Sequence, residues 1–312
     1  GQSPVYLGDL PGGPDYSIAT DINNLGQIVG VSRKGGTSSF SFENSAFLWQ
    51  LGVITDLGAP AGGSRSGASG INDSGVIVGN YAPTSASQPP FRAPFRWENG
   101  TFTQLSLPSG YNLGNALAIN ESGEIAGSGR LAGVGTQGLY WDPSGNAVDV
   151  PEFPGGTFGA ATDIDSTGRM VGTSRAAAES NQAAAFWEST TSVTDLSGAP
   201  GGGDTRSATA MNDSGTIVGS AFGTQSYGFV YDPINGVRDL NAITALPNGW
   251  RIAGANDINE SGQIVGQGLF NGTSRAFLLT PVDEMTPIPV PPALPMLAAG
   301  LGALWWVRRR AA

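Results

Sequence analysis

Three carboxylates in Gly/Pro-rich connecting segments, Asp15, Glu152 and Asp204, are the groups in this chain best suited to acid–base chemistry. Two carboxylates about 5–10 Å apart across a sugar ring can cleave a glycosidic bond, one as acid and one as base or nucleophile. A second set suits binding rather than cleavage: Tyr16, Arg65, Tyr111, Phe158, Arg206, Trp250 and Arg251 occupy connections of the same kind. Flat rings flanked by guanidinium groups offer apolar area together with directed donors, which fits a carbohydrate. The competing expectation is that these side chains plug a channel mouth and pack the loops. The chain has no His and no Cys. Imidazole bases, thiolate nucleophiles, disulfides, zinc sites and protein-ligated haem or iron–sulfur centres are therefore excluded. Any metal would be a hard cation held by oxygens. The acidic segments of type Asn-Asp-Ser-Gly (72–75) lack the dense alternating ligands and closing Glu of a calcium loop. They read as turns, and no metal or cofactor is expected.

The elements that must carry these residues are repeated. "INNLGQIVG" (22–30) recurs as "INDSGVIVG", "INESGEIAG", "IDSTGRMVG", "MNDSGTIVG" and "INESGQIVG", with closing glycines 45 to 49 residues apart. Each unit contains four β-type runs. The first ends at the Ile-Asn step and carries a small residue three positions earlier: Ala19, Ala68, Ala116, Ala161, Ala208 and Ala255. The second is the "IVG" run. The third has mostly bulky residues two apart, such as Phe47/Trp49 and Phe95/Trp97, which share one face of a strand. The fourth resembles "ITDLG" (54–58), with Asp9, Asp56, Gln104, Asp149, Asp195 and Asp239 in one column.

Four short strands per ~47 residues is the period of a propeller blade. Six units predict an all-β, six-bladed β-propeller over residues 1–281, with alanines on the crowded innermost strands. A β-solenoid is the weaker alternative, since its coils are usually shorter. The turn glycines Gly26, Gly75, Gly123, Gly168, Gly215 and Gly262 are expected at positive φ. "VYLGDL" (5–10) has a fourth-strand sequence, while the last repeat ends in the third-strand run 275–279. Residues 5–10 are therefore expected to complete the last blade and close the ring. Short turns then lie on one side; on the other lie long connections (31–44, 80–92, 128–137, 173–183) and the fourth-to-first-strand loops. That loop side is the candidate binding face.

Composition agrees. Glycine is 48 of 312 residues and charged residues are 13%, half the usual share, which suits many tight turns over a large core. The net charge of −10 argues against nucleic acid as a partner.

The last thirty residues differ in kind. A Pro-rich linker (282–292) leads into "ALPMLAAGLGALWWV" (293–307), fifteen uncharged residues, and then "RRRAA". As a helix the apolar run reaches about 22 Å, short for a ~30 Å hydrocarbon core. The terminal arginines place the C-terminus in the cytoplasm and the repeats outside.

This tail (293–312), with Ile288, Pro289, Val290, Pro291 and the run Arg308, Arg309, Arg310, resembles the PEP-CTERM sorting signal. The usual glutamate between the prolines is Val290 here. The repeats resemble the HAF family of extracellular repeats, although Ser45 and Arg275 stand where that family carries its His. These resemblances imply export to the surface or matrix of a Gram-negative-type bacterium, a transient membrane anchor through the C-terminal helix, and an exosortase-type enzyme as partner. Exopolysaccharide or another surface protein would be the ligand. The resulting expectation is a non-catalytic surface or matrix protein binding glycan or protein through the loop side. The alternative is an extracellular hydrolase or lyase using Asp15, Glu152 and Asp204.

Overall fold

The computed structural model describes residues 5–12, 16–34, 43–83, 92–177, 181–196, 205–222 and 225–281. Twenty-three strands form six consecutive antiparallel sheets. The first contains β1 (Ser17–Ile22), β2 (Ile28–Lys34), β3 (Glu43–Gln50) and β4 (Val53–Gly58). The second contains β5 (Gly63–Ile71), β6 (Ile77–Pro83), β7 (Ala93–Glu98) and β8 (Thr101–Gln104). The third has β9 (Tyr111–Ile119), β10 (Ile125–Leu131), β11 (Gly135–Trp141) and β12 (Ala147–Asp149). The fourth has β13 (Phe158–Ile164), β14 (Met170–Arg175), β15 (Ala183–Ser189) and β16 (Ser192–Asp195). In the fifth are β17 (Thr205–Met211), β18 (Ile217–Phe222), β19 (Tyr227–Asp232) and β20 (Gly236–Asp239), followed by the single-turn helix α1 (Leu240–Ile243). The sixth has three strands, β21 (Trp250–Ile258), β22 (Ile264–Phe270) and β23 (Thr273–Leu279).

Within each sheet the strands follow chain order, so every sheet is a meander that hands the chain on to the next. The turn glycines adopt φ of 73° to 83°, the left-handed conformation that a short hairpin demands. Each turn is held by its Asn or Asp. Asn72 Oδ1 accepts from Val76 N at 3.0 Å, and Asp165 Oδ1 accepts from Arg169 N at 2.9 Å.

The closing glycine of "IVG" has a different cause. The first strand of most sheets bulges just after its column alanine, for instance between Ala68 and Gly70. The bulge presses a first-strand carbonyl onto the facing glycine. A Cβ at Gly79 would lie 2.1 Å from Gly67 O, and one at Gly219 would lie 2.1 Å from Ser207 O. Third-strand rings close the other side, Phe229 within 2.7 Å of the same imaginary Cβ. No side chain fits there.

Consecutive sheets pack face to face around five apolar clusters, one at each junction from sheets one and two to sheets five and six. The alanine column sits at these junctions: Ala68, Ala116, Ala161, Ala208 and Ala255 are 3% exposed or less. Polar links cross the same junctions. Thr20, Thr162 and Thr209 hydroxyls each donate to the alanine-column carbonyl of the next sheet at 2.9–3.0 Å. Asn23, Asn72, Asn120 and Asn212 amides each donate to the turn carbonyl of the following sheet.

Three expectations need correction. Residues 5–10 form no strand, and β23 has no fourth strand beside it among the described residues. They lie against sheet one instead, Leu10 N donating to Ser32 Oγ at 3.0 Å and Ser17 Oγ to Gly8 O at 3.1 Å. Gly8 and Gly58 share positive φ, and their carbonyls accept from equivalent serines, Ser17 and Ser66, so Tyr6, not Asp9, takes the place of Asp56. Residues 128–137 are mostly strand rather than loop, because positive φ at Gly133 and Gly135 lets β10 and β11 run on to a tight hairpin. The tail from 282 onward, including the expected helix 293–307 and the sorting residues, lies outside the described residues. Among the described residues no helix is long and apolar enough to cross a membrane.

Candidate functional site

First strands start, and second strands end, on the loop side, so each sheet brings two residues to one rim. In sheet one these are Tyr16 and Arg33, with the guanidinium 4.0 Å from the ring centroid. Their backbones are paired, Arg33 N donating to Tyr16 O. Sheet four repeats the arrangement with Phe158 and Arg175, cross-strand partners with the guanidinium 5.8 Å from the ring. Sheet six substitutes a second ring, Trp250 against Phe270 at 5.5 Å and 36°. Tyr111 occupies the same position in sheet three, its phenol pushed up in pKa by burial and by the charge of Asp149. These aromatics are exposed or half-buried, so part of each ring faces solvent. A cation stacked on a ring is steadied by it, and Arg175 also donates to Thr157 Oγ1 at 3.4 Å.

The arginines divide. Arg65 is exposed at the start of β5. Arg251 is half-buried and donates to Ser226 O. Arg206 does not belong to a binding surface: it is 1% exposed, with its guanidinium near Leu196 O and the Tyr227 hydroxyl at 3.5 Å. Its chemistry is spent on holding sheet five to the fourth-strand exit of sheet four.

Of the three candidate carboxylates, Asp15 and Asp204 lie outside the described residues. Glu152 is locked. Gly138 N donates to Oε1 at 2.9 Å and the Ser174 hydroxyl to Oε2 at 2.7 Å. A Cβ on Gly159 would lie 2.0 Å from both carboxylate oxygens, so the strand backbone covers the group. Burial pushes its pKa up, opposed by these two donors. This carboxylate bridges a loop to two strands.

The sequence also contained a carboxylate set that reading by motif passed over. Asp21, Asp163 and Asp257 precede the Ile-Asn or Ile-Asp step in sheets one, four and six, where the other sheets carry Gly70, Ala118 and Ala210. Asp21 accepts from its neighbour Ile22 N and from Ile71 N of the next sheet, both at 2.8 Å. Asp163 does the same with Ile164 N and Met211 N. Burial raises Asp21 to about 6 and Asp163 to about 7, and the charge of Asp257 adds to both. The signal was a column alternating between Asp and the smallest residues, which marks a place where space is short and an acid must have a reason to be there.

A groove of about 480 Å³ between β8 and the β11–β12 hairpin is lined by Arg96, Gln104 and Asn146 among others. Arg96 already bonds Pro143 O and Glu98 there, so its charge is neutralised.

No protein family and no curated protein sequence matches the chain. Solved structures do. The β-propeller domain of the trilobed protease from Pyrococcus furiosus, described as having an open velcro topology, superposes with a TM-score of 0.53 at 12% identity, covering 85% of this chain and 83% of that one. The acylaminoacyl peptidase of Pyrococcus horikoshii superposes at 0.51 and 13% identity, covering 84% of this chain. The match spans 45% of that peptidase. At such identities the likeness concerns the fold. The chain is an all-β protein of the β-propeller class, with six antiparallel sheets of three or four strands among the described residues.

Proposed function

We propose that this chain is an exported surface or matrix protein that binds glycan, or a protein partner, through the loop side of a six-bladed propeller and does no catalysis. The observation carrying the proposal is the repeated ring–guanidinium pairing at one rim, Tyr16/Arg33 and Phe158/Arg175, continued by the stacked rings of Trp250 and Phe270. Aromatic faces held rigid by a cross-strand partner lose little entropy on binding, and sugars stack on such faces. The repeats resemble HAF repeats and the tail resembles a PEP-CTERM signal. Those resemblances support export, exosortase-type sorting and a transient anchor through 293–307 in a Gram-negative-type bacterium. They also support exopolysaccharide as the ligand. The hydrolase alternative loses ground at Glu152, which is covered by Gly159 and engaged by two donors.

A glycan array with residues 1–282 tests the binding. Tyr16→Ala, Phe158→Ala and Trp250→Ala should each weaken it about tenfold, the equivalent of about 1.4 kcal/mol. Unchanged binding in all three would remove the loop side from the account. Glycan cleavage abolished by Glu152→Gln without loss of fold would restore the hydrolase reading.

A further inference from the structure

Charge is sorted between the two sides of the sheets. First strands end and second strands begin on the turn side, and acids gather there. Asp73, Glu121, Asp213 and Glu260 each accept from a backbone N–H of the preceding sheet's turn at 2.8–3.1 Å. The arginines of that side are already matched: Arg96 by Glu98, Arg169 by Asp165 and Arg238 by Asp232.

The loop side carries the opposite sign. Arg65 and Arg251 lie at the starts of the first strands β5 and β21, Arg130 and Arg175 at the ends of the second strands β10 and β14. Arg65 and Arg130 are exposed, Arg175 and Arg251 half-buried. None of the four pairs with a carboxylate among the described residues. Arg175 donates to Thr157 Oγ1 and Arg251 to Ser226 O, neutral oxygens that leave the charge uncompensated. Lys34 differs, being matched by Asp56. Three of the four arginines stand beside a ring. Phe158 faces Arg175 across the strands, Trp250 precedes Arg251, and Tyr111 lies opposite Leu131, next to Arg130.

We propose that the ligand of the loop side is an anionic polysaccharide, with sugar rings on the aromatic faces and carboxylates or sulfates on Arg65, Arg130, Arg175 and Arg251. The assignment rests on the loop side being the glycan-binding side, and adds the charge of the ligand to it. A neutral sugar needs rings and hydrogen bonds but no charge, and uncompensated arginines along one rim repel one another. An anionic group relieves that repulsion, and the planar fork of a guanidinium matches the oxygens of a carboxylate or sulfate. The chain as a whole is acidic, with a net charge of −10. A polyanion is therefore repelled by the turn side and admitted where the arginines are, which orients it before contact.

Matched polymers test this on the full chain in mild detergent: polygalacturonate against the same polymer with its carboxyl groups reduced to alcohols, and dextran sulfate against dextran. Each pair keeps the sugar backbone and changes the charge. The acidic member of at least one pair should bind about tenfold tighter or more, and added salt should narrow the gap. The pair that responds tells carboxylate from sulfate. Arg65→Gln, Arg130→Gln and Arg175→Gln should each weaken binding of the acidic polymer about threefold, and all three together about thirtyfold. Arg96→Gln, where Glu98 already neutralises the charge, should change nothing. Melting temperatures check that each variant is folded. Equal affinity for acidic and neutral members overturns the proposal and leaves the loop side a binder of neutral glycan. A preference for the acidic polymer that survives the triple substitution overturns it by placing the site elsewhere. Oligothymidylate bound as tightly as the acidic sugar polymers overturns it too, since the arginines would then take any polyanion. Binding of none of these polymers removes both this proposal and the glycan reading beneath it.

Discussion

Asp163 holds two backbone N–H groups of adjacent blades while burial lifts its pKa to about 7. An acid whose native pKa lies above its unfolded value near 3.8 binds protons more strongly when folded. Its contribution to stability is fully present below 3.8 and is lost as pH rises through about 7. Asp21, raised to about 6, acts in the same sense. Asp163→Asn keeps an acceptor and removes the charge. It also loses one of the two acceptor oxygens, so its melting temperature relative to wild type should be distinctly higher at pH 8 than at pH 3.5, where the wild-type acid is neutral in both states. Equal effects at both pH values would show that the carboxylate is ionised without penalty. These acids were visible in the sequence but had no chemistry attached to them there. Their role depends on the spacing of two blades at the axis, which no local pattern encodes. Arg206 fails in the opposite direction: its position beside a connection suggested a surface, and only the fold shows that it is buried.

Two kinds of repeat glycine separate at the scale of the strand and turn. Gly75 is required by its φ of 77° alone, since an added Cβ meets nothing closer than the Gln27 side chain at 3.8 Å. Gly79 is required by contact, with its imaginary Cβ 2.1 Å from a backbone oxygen. Gly75→Ala should cost about 1 kcal/mol. Gly79→Ala should cost about 3 kcal/mol or more, because strands must separate to admit it. Denaturant titration measures both, and equal costs would contradict the bulge-and-glycine account. The four runs per repeat, the hairpin turns and the alanine column were all legible, because each follows from periodicity or from a backbone angle. The bulge was not. It inserts a residue among small side chains such as Ala68, Ser69 and Gly70, where the apolar alternation is faint, so its clearest trace is the glycine facing it. The aromatic starts of the first strands were legible as residues, but their Arg33 and Arg175 partners appear only once β1/β2 and β13/β14 are in register.

For the molecule as a whole, the composition break after Pro281 coincides with the limit of the first compact unit, Gly1–Leu279. A chain ending at Val282 should be monodisperse with the melting temperature of the full protein, while the full chain partitions into detergent. Loss of fold on truncation would mean that the tail stabilises the blades. Mature protein from the native host should lack Arg308–Arg310, and its retention, read by mass spectrometry, would make the tail a lasting anchor.

The exposed faces of β1 and β23 also constrain how this protein is made. Sheet one leaves the ribosome well before β23, which emerges only after four further sheets have been synthesised. Throughout that interval each finished blade can pack on its predecessor, but Ile18 and Ile22, 46% and 61% exposed on β1, have nothing to cover them. A nascent chain stalled short of residue 273 would present an apolar strand face for its whole lifetime, and such a face needs a chaperone or it aggregates.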